Sequence, residues 1–322
     1  MSSVCTALGL DIYALRDVFS YRSLVHAIAG AAGSITALTV FFPLDTARTR
    51  LVVDDLREAK PTPVILHEIF KEEGIDGLYR GLFPVITSLC CSNFVYFYTY
   101  NGLKNVCVPH RDKEDALQDL LMGFVAGIVN VLLTTPLWVI NSRLKIQGAN
   151  LRTKQYKEQK FPKYRGILDA FLKIVRYEGV SSLWSGMLPS LVLTVNPAVQ
   201  FMVYEVIKRY FQRLWKVQEL SGLTYFFIGA IAKAVATTVS YPVQVIQARS
   251  RVGFSKNAKN PKGVIETWQE VIRNNGVKGL FKGLEAKLLQ TVLTAALMFM
   301  LYEKIAAFIF HIFFLEVSGK SV

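Results

Sequence analysis

"TTPLWVINSR", residues 134–143, interrupts an apolar run that begins near Leu117. Proline removes a backbone donor and kinks or ends a helix. The phrase therefore reads as a failed helix, a surface loop, or one copy of a repeat. Two echoes decide between these readings: "FPLDTARTR" (42–50) and "YPVQVIQAR" (241–249). Pro43, Pro136 and Pro242 are each followed seven residues later by arginine, at Arg50, Arg143 and Arg249.

A second phrase lies downstream of each proline: "EEGIDGLYRG" (72–81), "YEGVSSLWSG" (177–186) and "NNGVKGLFKG" (274–283). Its frame is a glycine, an aromatic residue five positions on, and a second glycine at seven. Upstream, Gly30, Gly123 and Gly229 each precede their proline by thirteen residues. Three signals in one order, three times over, at a period of about 100 residues, define an internal repeat. The implied boundaries are an N-terminal extension (1–20), repeats at 21–108, 115–214 and 220–310, and a tail (311–322).

Apolar stretches of the roughly 20 residues a bilayer requires recur at 24–46, 82–103, 117–140, 187–207, 222–243 and 288–315. They predict an all-α integral membrane protein of six transmembrane helices in three repeats, with both termini on one side. Mean hydropathy of +0.32 and 52% hydrophobic residues lean only mildly that way; the distribution carries the argument against a soluble protein with buried helices. Between the two spans of each repeat run amphipathic segments such as "VILHEIFKEEG" and "ILDAFLKIVRYEG". In the latter, Ile167, Phe171, Ile174 and Val175 recur at helical spacing. Such helices are expected along the membrane surface. Backbone groups freed by proline are tolerated in a bilayer only where protein or water covers them, so three related kinks fit a cavity-forming transporter better than a packed bundle.

The formal charge of +13 implies an anionic partner. The bases are not gathered into a tail or recognition helix, and no nucleic-acid motif appears. Anionic lipid and an anionic small solute remain, and nucleic acid is not expected. Cys5, Cys90, Cys91 and Cys107 show no metal spacing and no C-x-x-C, so no metal or disulfide framework is expected. The first twenty residues lack the basic start and apolar core of a signal peptide. With Asp11, Asp17 and only Arg16 as a base, they also make a poor mitochondrial presequence.

The frame Pro-x-acid-x-x-base-x-base, followed by acid-Gly and aromatic-base-Gly, resembles the mitochondrial carrier family, solute carrier family 25. Repeat one fits fully, through Pro43, Asp45, Arg48, Arg50, Glu73, Gly74, Tyr79, Arg80 and Gly81. The resemblance covers about residues 20–310 and implies six tilted helices in pseudo-threefold symmetry, with a central site reached alternately from each side. "TVFFPLDTAR", "SLCCSNFVYFYT", "NVLLTTPLWV", "NPAVQFMVYE" and "GLEAKLLQTVLTAALMF" look much like the family's vertebrate peroxisomal branch. That likeness implies a monomeric multi-pass carrier in the peroxisomal membrane, delivered by peroxisomal import factors. Its implied solutes, exchanged across the membrane, are coenzyme A, FAD, NAD and adenine nucleotides (AMP, ADP and ATP), none of them a catalytic cofactor.

In the family, the acid and base after each proline pair across neighbouring odd-numbered spans and close the matrix-side gate. The corresponding positions here are Asp45/Arg48, Trp138/Asn141 and Gln244/Gln247, so only repeat one keeps its charges. The family's pairing sets Asp45 against Asn141, Gln244 against Arg48 and Trp138 against Gln247. It implies a proline-side gate that depends less on ion pairs and more on packing. The opposite gate reads Tyr100-Asn101…Lys104, Tyr204-Glu205…Lys208 and Tyr302-Glu303…Ala306. Its implied cross-repeat pairs are Lys104 with Glu205 and Lys208 with Glu303.

For the solute site, Lys233 stands where the sister repeats have Ser34 and Gly127. A charge at mid-membrane costs at least about 2.5–3.5 kcal/mol and faces a wet cavity. Lys287 is a second cation, near the start of the sixth span, followed by Gln290 and Thr291. Family contact positions map onto Ser88, onto Val192 and Leu193, and onto Gln290 or Thr291. Asn93, Asn196 and Gln200 add hydrogen-bonding groups, and Asn196-Pro197 is placed to open a backbone carbonyl. Lysines with amides suit a phosphorylated solute bearing a base. Three rivals stand beside this reading. A mitochondrial inner-membrane carrier for NAD, FAD or pyrimidine nucleotides would share the architecture. A membrane adaptor that transports nothing would not need the intramembrane lysines. An enzyme finds no support, because His26, His67, His110 and His311 are scattered without a nucleophile elbow or phosphate loop.

Overall fold

The computed structural model describes residues 32–107, 116–152, 163–217, 219–253 and 263–318. Among the described residues all regular structure is helical and no strand occurs. The expected features at Gly30, in the N-terminal extension and at the end of the tail lie outside them. The chain divides into two compact units: Phe42–Leu289, and the pair of segments Met1–Phe41 and Gln290–Val322.

The larger unit begins with α1 (Phe42–Val53), α2 (Thr62–Tyr79), α3 (Leu82–Cys107) and α4 (Ala116–Ile146). It continues through α5 (Ile167–Glu178), a 3-10 turn (Val180–Trp184), α6 (Met187–Leu193), α7 (Asn196–Trp215) and α8 (Gly222–Val252). Last come α9 (Val264–Asn275), a second 3-10 turn (Val277–Phe281) and the start of α10 (Leu284–Ser318). In the smaller unit, described residues 32–40 are helical and Ser34 Oγ donates to Met298 Sδ at 3.4 Å.

Among the described residues, four stretches are long and apolar enough to cross a membrane: Leu82–Lys104, Gln118–Ile146, Val180–Trp215 and Gly222–Val252. Helix α10 runs unbroken across the expected sixth span. Large apolar side chains such as Phe83 and Val239 lie exposed on these helices. A helix satisfies its own backbone, so an apolar surface of this kind belongs against lipid.

The three prolines act differently. Pro136 and Pro242 sit inside unbroken helices, whereas in repeat one the helix breaks at Phe41 and Pro43 falls in the first turn of α1. Pro136 has no N–H to give to the Leu132 carbonyl. That carbonyl instead accepts from the indole Nε1–H of Trp184 at 2.9 Å. The aromatic residue of the second phrase thus covers the group that the proline of the first phrase freed. Pro197 has a larger effect, since the fourth span divides there into α6 and α7. The Leu193 carbonyl loses its helical donor at that break.

The surface helices α5 and α9 are each held by one buried stripe. Ala170 and Ile174 of α5, with Ile167 and Val175 beside them, pack on Ile140, Tyr164 and Leu183. Phe171, expected on that stripe, is turned outward with Leu168 and Leu172; the helix therefore has a second apolar edge facing outward, as an interfacial helix requires. The two glycines of the second phrase explain their own recurrence. Gly74, Gly179 and Gly276 have φ of 72°, 90° and 63°, and Gly81, Gly186 and Gly283 have φ of 85°, 82° and 84°. Only glycine occupies such conformations without a steric penalty, and they turn the surface helix into the next span.

The repeated arginine is a buried strut. Arg50 meets Glu73 at 3.0 Å, and Arg143 pairs with Glu178, the acid before the glycine in each case. In repeat three that acid is Asn275. Arg249 turns to Asp55 of repeat one instead, and Asn275 Nδ2 donates to the same carboxylate. The neighbouring Asp54 accepts the Arg152 backbone N–H at 2.8 Å, and its carbonyl accepts Lys282 Nζ at 2.7 Å. The short segment after α1 thus ties repeat one to both of its sisters.

Candidate functional site

Where α1, α4 and α8 converge at their proline-side ends, three cations close a cycle between the repeats. Arg48 of repeat one lies 5.5 Å from the Tyr241 ring centre of repeat three, and its Nη2 donates to Gln244 Oε1 at 3.2 Å. Lys145 of repeat two lies 5.0 Å from the Phe42 ring centre of repeat one and forms an ion pair with Asp45. Arg251 of repeat three lies 5.5 Å from the Trp138 ring centre of repeat two. Each such contact is worth about 0.5–2 kcal/mol, more where water is excluded.

This geometry corrects two sequence expectations. Asp45 is met by Lys145 and not by Asn141, whose buried Oδ1 has no hydrogen-bond partner among the described residues. Trp138 is met by Arg251 and not by Gln247, whose Nε2 donates to Ser190 Oγ at 2.9 Å. The physical reason is one turn of helix. Lys145 is four residues after Asn141, and Arg251 four after Gln247, so each lies on the same helix face as the position that lost its base. The proline-side end therefore retains a cation in every repeat, but only Lys145 ends on a carboxylate, Arg48 and Arg251 meeting an amide oxygen and an aromatic ring instead.

The second-phrase glycines make room for these cations. A Cβ on Gly81 would lie 3.0 Å from Lys145, and one on Gly186 would lie 3.2 Å from both Arg251 Cγ and the Gln247 carbonyl. One on Gly283 would lie 3.1 Å from the Tyr241 hydroxyl and 3.4 Å from the Arg48 carbonyl. The same cyclic order, each repeat's glycine under the next repeat's cation, appears at all three contacts.

Above one of them opens a cleft of about 550 Å³ between α3, α4, α6, α7 and α8. That volume falls in the range of small-molecule sites. Its walls carry Ser92, Asn130 and Thr134 for hydrogen bonding and Leu193, Val195 and Phe124 as apolar surface. Trp138, Ser190, Gln247 and Arg251 line its proline-side end, and Asp119 and Tyr96 line the other. Ser92 Oγ and Asn130 are already bonded to one another at 3.0–3.1 Å.

The expected solute residues scatter around this unit. Lys233 and Gln200 are brought together, with Nζ donating to Oε1 at 3.2 Å. Asn196 opens α7, and its Oδ1 is buried with no partner among the described residues. Leu193 lines the cleft, whereas Val192 and Asn93 are exposed on their helices. Ser88 does not present its hydroxyl to a cavity; it is buried and points at the Leu137 carbonyl, 3.5 Å away. Lys287 is half-buried in the first turn of α10. Gln290 is buried and Thr291 half-buried in the smaller unit.

At the opposite end Lys104 and Glu205, implied as partners, each meet other residues among the described ones. Glu205 is held by Lys208 and Arg209 of its own helix, each at 3.4 Å, and Lys104 lies 3.6 Å from Asp119. Asn101 is exposed, and the Glu303 side chain lies outside the described residues. Asp119, which also accepts the Tyr100 hydroxyl at 3.1 Å, was missed from the sequence. Its position in the first turn of α4 was the available signal, because acids favour helix N-termini. Lys145 and Arg251 were missed because a motif was read at fixed offsets.

Residues 20–111, 112–214 and 218–312 each match the model of the family described as mitochondrial carrier protein. The chain is 55% identical to the peroxisomal membrane protein PMP34 of Mus musculus, over 95% of this chain and 100% of that one. It is 35% identical to the mitochondrial nicotinamide adenine dinucleotide transporter 2 of Arabidopsis thaliana, over 91% of this chain and 82% of that one. It is 32% identical to the peroxisomal nicotinamide adenine dinucleotide carrier of the same plant, over 88% and 95%.

Proposed function

The chain belongs to the mitochondrial carrier family, and from that premise we propose that it is a multi-pass carrier of the peroxisomal membrane exchanging adenine-containing cofactors and nucleotides. It is a transporter and not an enzyme. The proposed solutes are coenzyme A, FAD, NAD and AMP, ADP or ATP, moved by alternating access. The compartment rests on the full-length likeness to a mouse peroxisomal membrane protein, and the solute class on the plant relatives named for nicotinamide adenine dinucleotide.

The observation that carries the reading is Lys233 beside Gln200 within two of the spans. A lysine is tolerated there only where it serves a polar pathway, and a cation next to an amide can hold a phosphate while leaving hydrogen bonds for a base. Lys287 is proposed as the second cation of the site. Gln290 and Thr291 are proposed as its neighbours on the sixth span, with Asn93 and Asn196 as further polar contacts and Val192 and Leu193 as an apolar floor. Asp45, Arg48 and Gln244 are proposed as gate residues on the proline side, joined by Lys145.

Uptake into liposomes preloaded with each cofactor tests the proposal. Exchange should occur with at least one adenine-bearing solute and fall sharply with Lys233→Ala. No exchange with any of them would sink it. The likeness to a mitochondrial NAD transporter supports a second reading, an inner-membrane carrier. Co-localisation with peroxisomal or mitochondrial markers separates the two.

A further inference from the structure

Of the three cations that close the proline-side end, Lys145 ends on the Asp45 carboxylate and Arg48 on the Gln244 amide oxygen. Arg251 has neither. Among the described residues its Nη2 meets only the Ser190 hydroxyl at 3.2 Å, its Cζ lies 5.5 Å from the Trp138 ring centre, and no carboxylate is within ion-pairing distance. Its Nε is buried and without a partner there. A guanidinium carries five donors and favours two-point contact with a phosphate or carboxylate; this one lacks such an acceptor and lines an open cleft.

We propose that Arg251 is an anion-binding residue for the carried solute, taking a phosphate group at the proline-side end of the cleft and giving up Trp138 as it does so. The proposal rests on the reading of the chain as a carrier of phosphorylated cofactors. Around Arg251 stand the groups such a contact needs. Ser190 Oγ and Gln247 Nε2, already joined at 2.9 Å, lie on the same wall, and both line the cleft.

The cleft is polarised along its length. Asp119 is at one end and Arg251 at the other, and nineteen residues of α4 separate Asp119 from Trp138, about 28 Å of helix. An anion entering from the Asp119 end is drawn toward Arg251. Apolar Leu193, Val195 and Phe124 in the walls leave room for a base along the way.

Binding is thereby linked to the gate. The aromatic ring and the solute phosphate compete for one guanidinium, so a bound solute loosens the contact between repeats two and three. The other two contacts have polar acceptors of their own and do not require a solute. A solute without phosphate would leave the contact over Trp138 in place.

The test uses the purified full-length carrier, with ADP, coenzyme A, pyrophosphate and adenosine as probes. For the unaltered protein, ADP and coenzyme A should raise the thermal unfolding midpoint, and adenosine should not. Arg251→Gln should abolish the rise and increase the half-saturation concentration for exchange by about ten- to a hundredfold, as for loss of a hydrogen bond to a charged group. Trp138→Leu removes the ring and keeps the cation, so it should speed exchange or raise leak with half-saturation unchanged or lowered. If Arg251→Gln changes only the maximal rate and still responds to ADP like the unaltered protein, the anion role is overturned. If the unaltered carrier responds to none of the phosphorylated probes and exchanges none, the cofactor reading falls, and this inference with it. A midpoint rise with pyrophosphate alone, without exchange, overturns the link to the carried solute.

Discussion

The two ends of the larger unit handle charge in different ways. At the proline-side end, cations reach across to a different repeat and are shielded: Lys145 to Asp45, Arg48 to Gln244, Arg251 to Trp138. At the other end, Glu205 is engaged by neighbours on its own helix, and Lys104 by the next span along the chain. The first arrangement ties all three repeats through shielded contacts, whereas the second, among the described residues, ties repeat one to repeat two only through the more exposed Lys104–Asp119 and Tyr100–Asp119 contacts. The difference also ranks the energies. Removing one partner of a buried pair costs about 3–5 kcal/mol, whereas an exposed pair is worth about 0.2–1 kcal/mol.

Breaking the shielded end should therefore have the largest effect. Lys145→Ala is expected to destabilise the carrier by about 3–5 kcal/mol and to abolish exchange, and Asp45→Lys combined with Lys145→Asp should recover part of both. Thermal unfolding in detergent alongside liposome exchange checks this; an unaffected Lys145→Ala would return the contact to Asn141. Next, Gly186→Ala forces a Cβ against Arg251 and the Gln247 carbonyl at a φ of 82°. A loss of about 1–2 kcal/mol follows from the left-handed backbone alone, read as a lowered unfolding midpoint. Trp184→Phe keeps the ring but strands the Leu132 carbonyl, for a loss of about 0.5–1.5 kcal/mol.

At the opposite, more exposed end the expected changes are kinetic. Lys104→Glu and Glu205→Lys should each slow exchange with little change in unfolding midpoint, because the pair they would form is absent from this state. The double reversal should restore the rate, and no restoration would show that these two side chains never meet. The smallest effect concerns pH. Burial pushes the Lys282 ammonium down to about 8 from an ordinary 10.5. Between those values the unfolded chain binds more protons, so stability should rise as pH rises through that window and stay flat below it. Lys282→Met should reduce the slope in a series of unfolding midpoints without abolishing it.

The sequence made the threefold frame legible because its signals are backbone requirements. Proline at the kink, glycine at positive φ and arginine seven residues past the proline must occupy fixed offsets, and all three recur. The gates were less legible because a side chain needs only the right helix face. Nothing in a fixed-offset motif distinguishes Asn141 from the lysine one turn later. The partner of Arg249 was hidden for another reason: Asp55 comes from a different repeat, in a segment that carries no motif. Ser88 shows the converse case, a position that fits a contact pattern while its hydroxyl points at a backbone carbonyl.

That loan of Asp55 to Arg249 means the three repeats are not interchangeable cassettes. Twelve residues past its proline, repeat one carries Asp55, while repeat two carries Gly148 at the same offset. A chain rebuilt with a second copy of repeat two in first place would preserve the prolines, the seventh-position arginines and the glycine frame. It would nonetheless leave repeat three with an interior guanidinium and no counter-ion. The ancestral symmetry has become a dependency with a direction: the last third of the protein completes its own interior only after the first third has been made and has folded back to meet it.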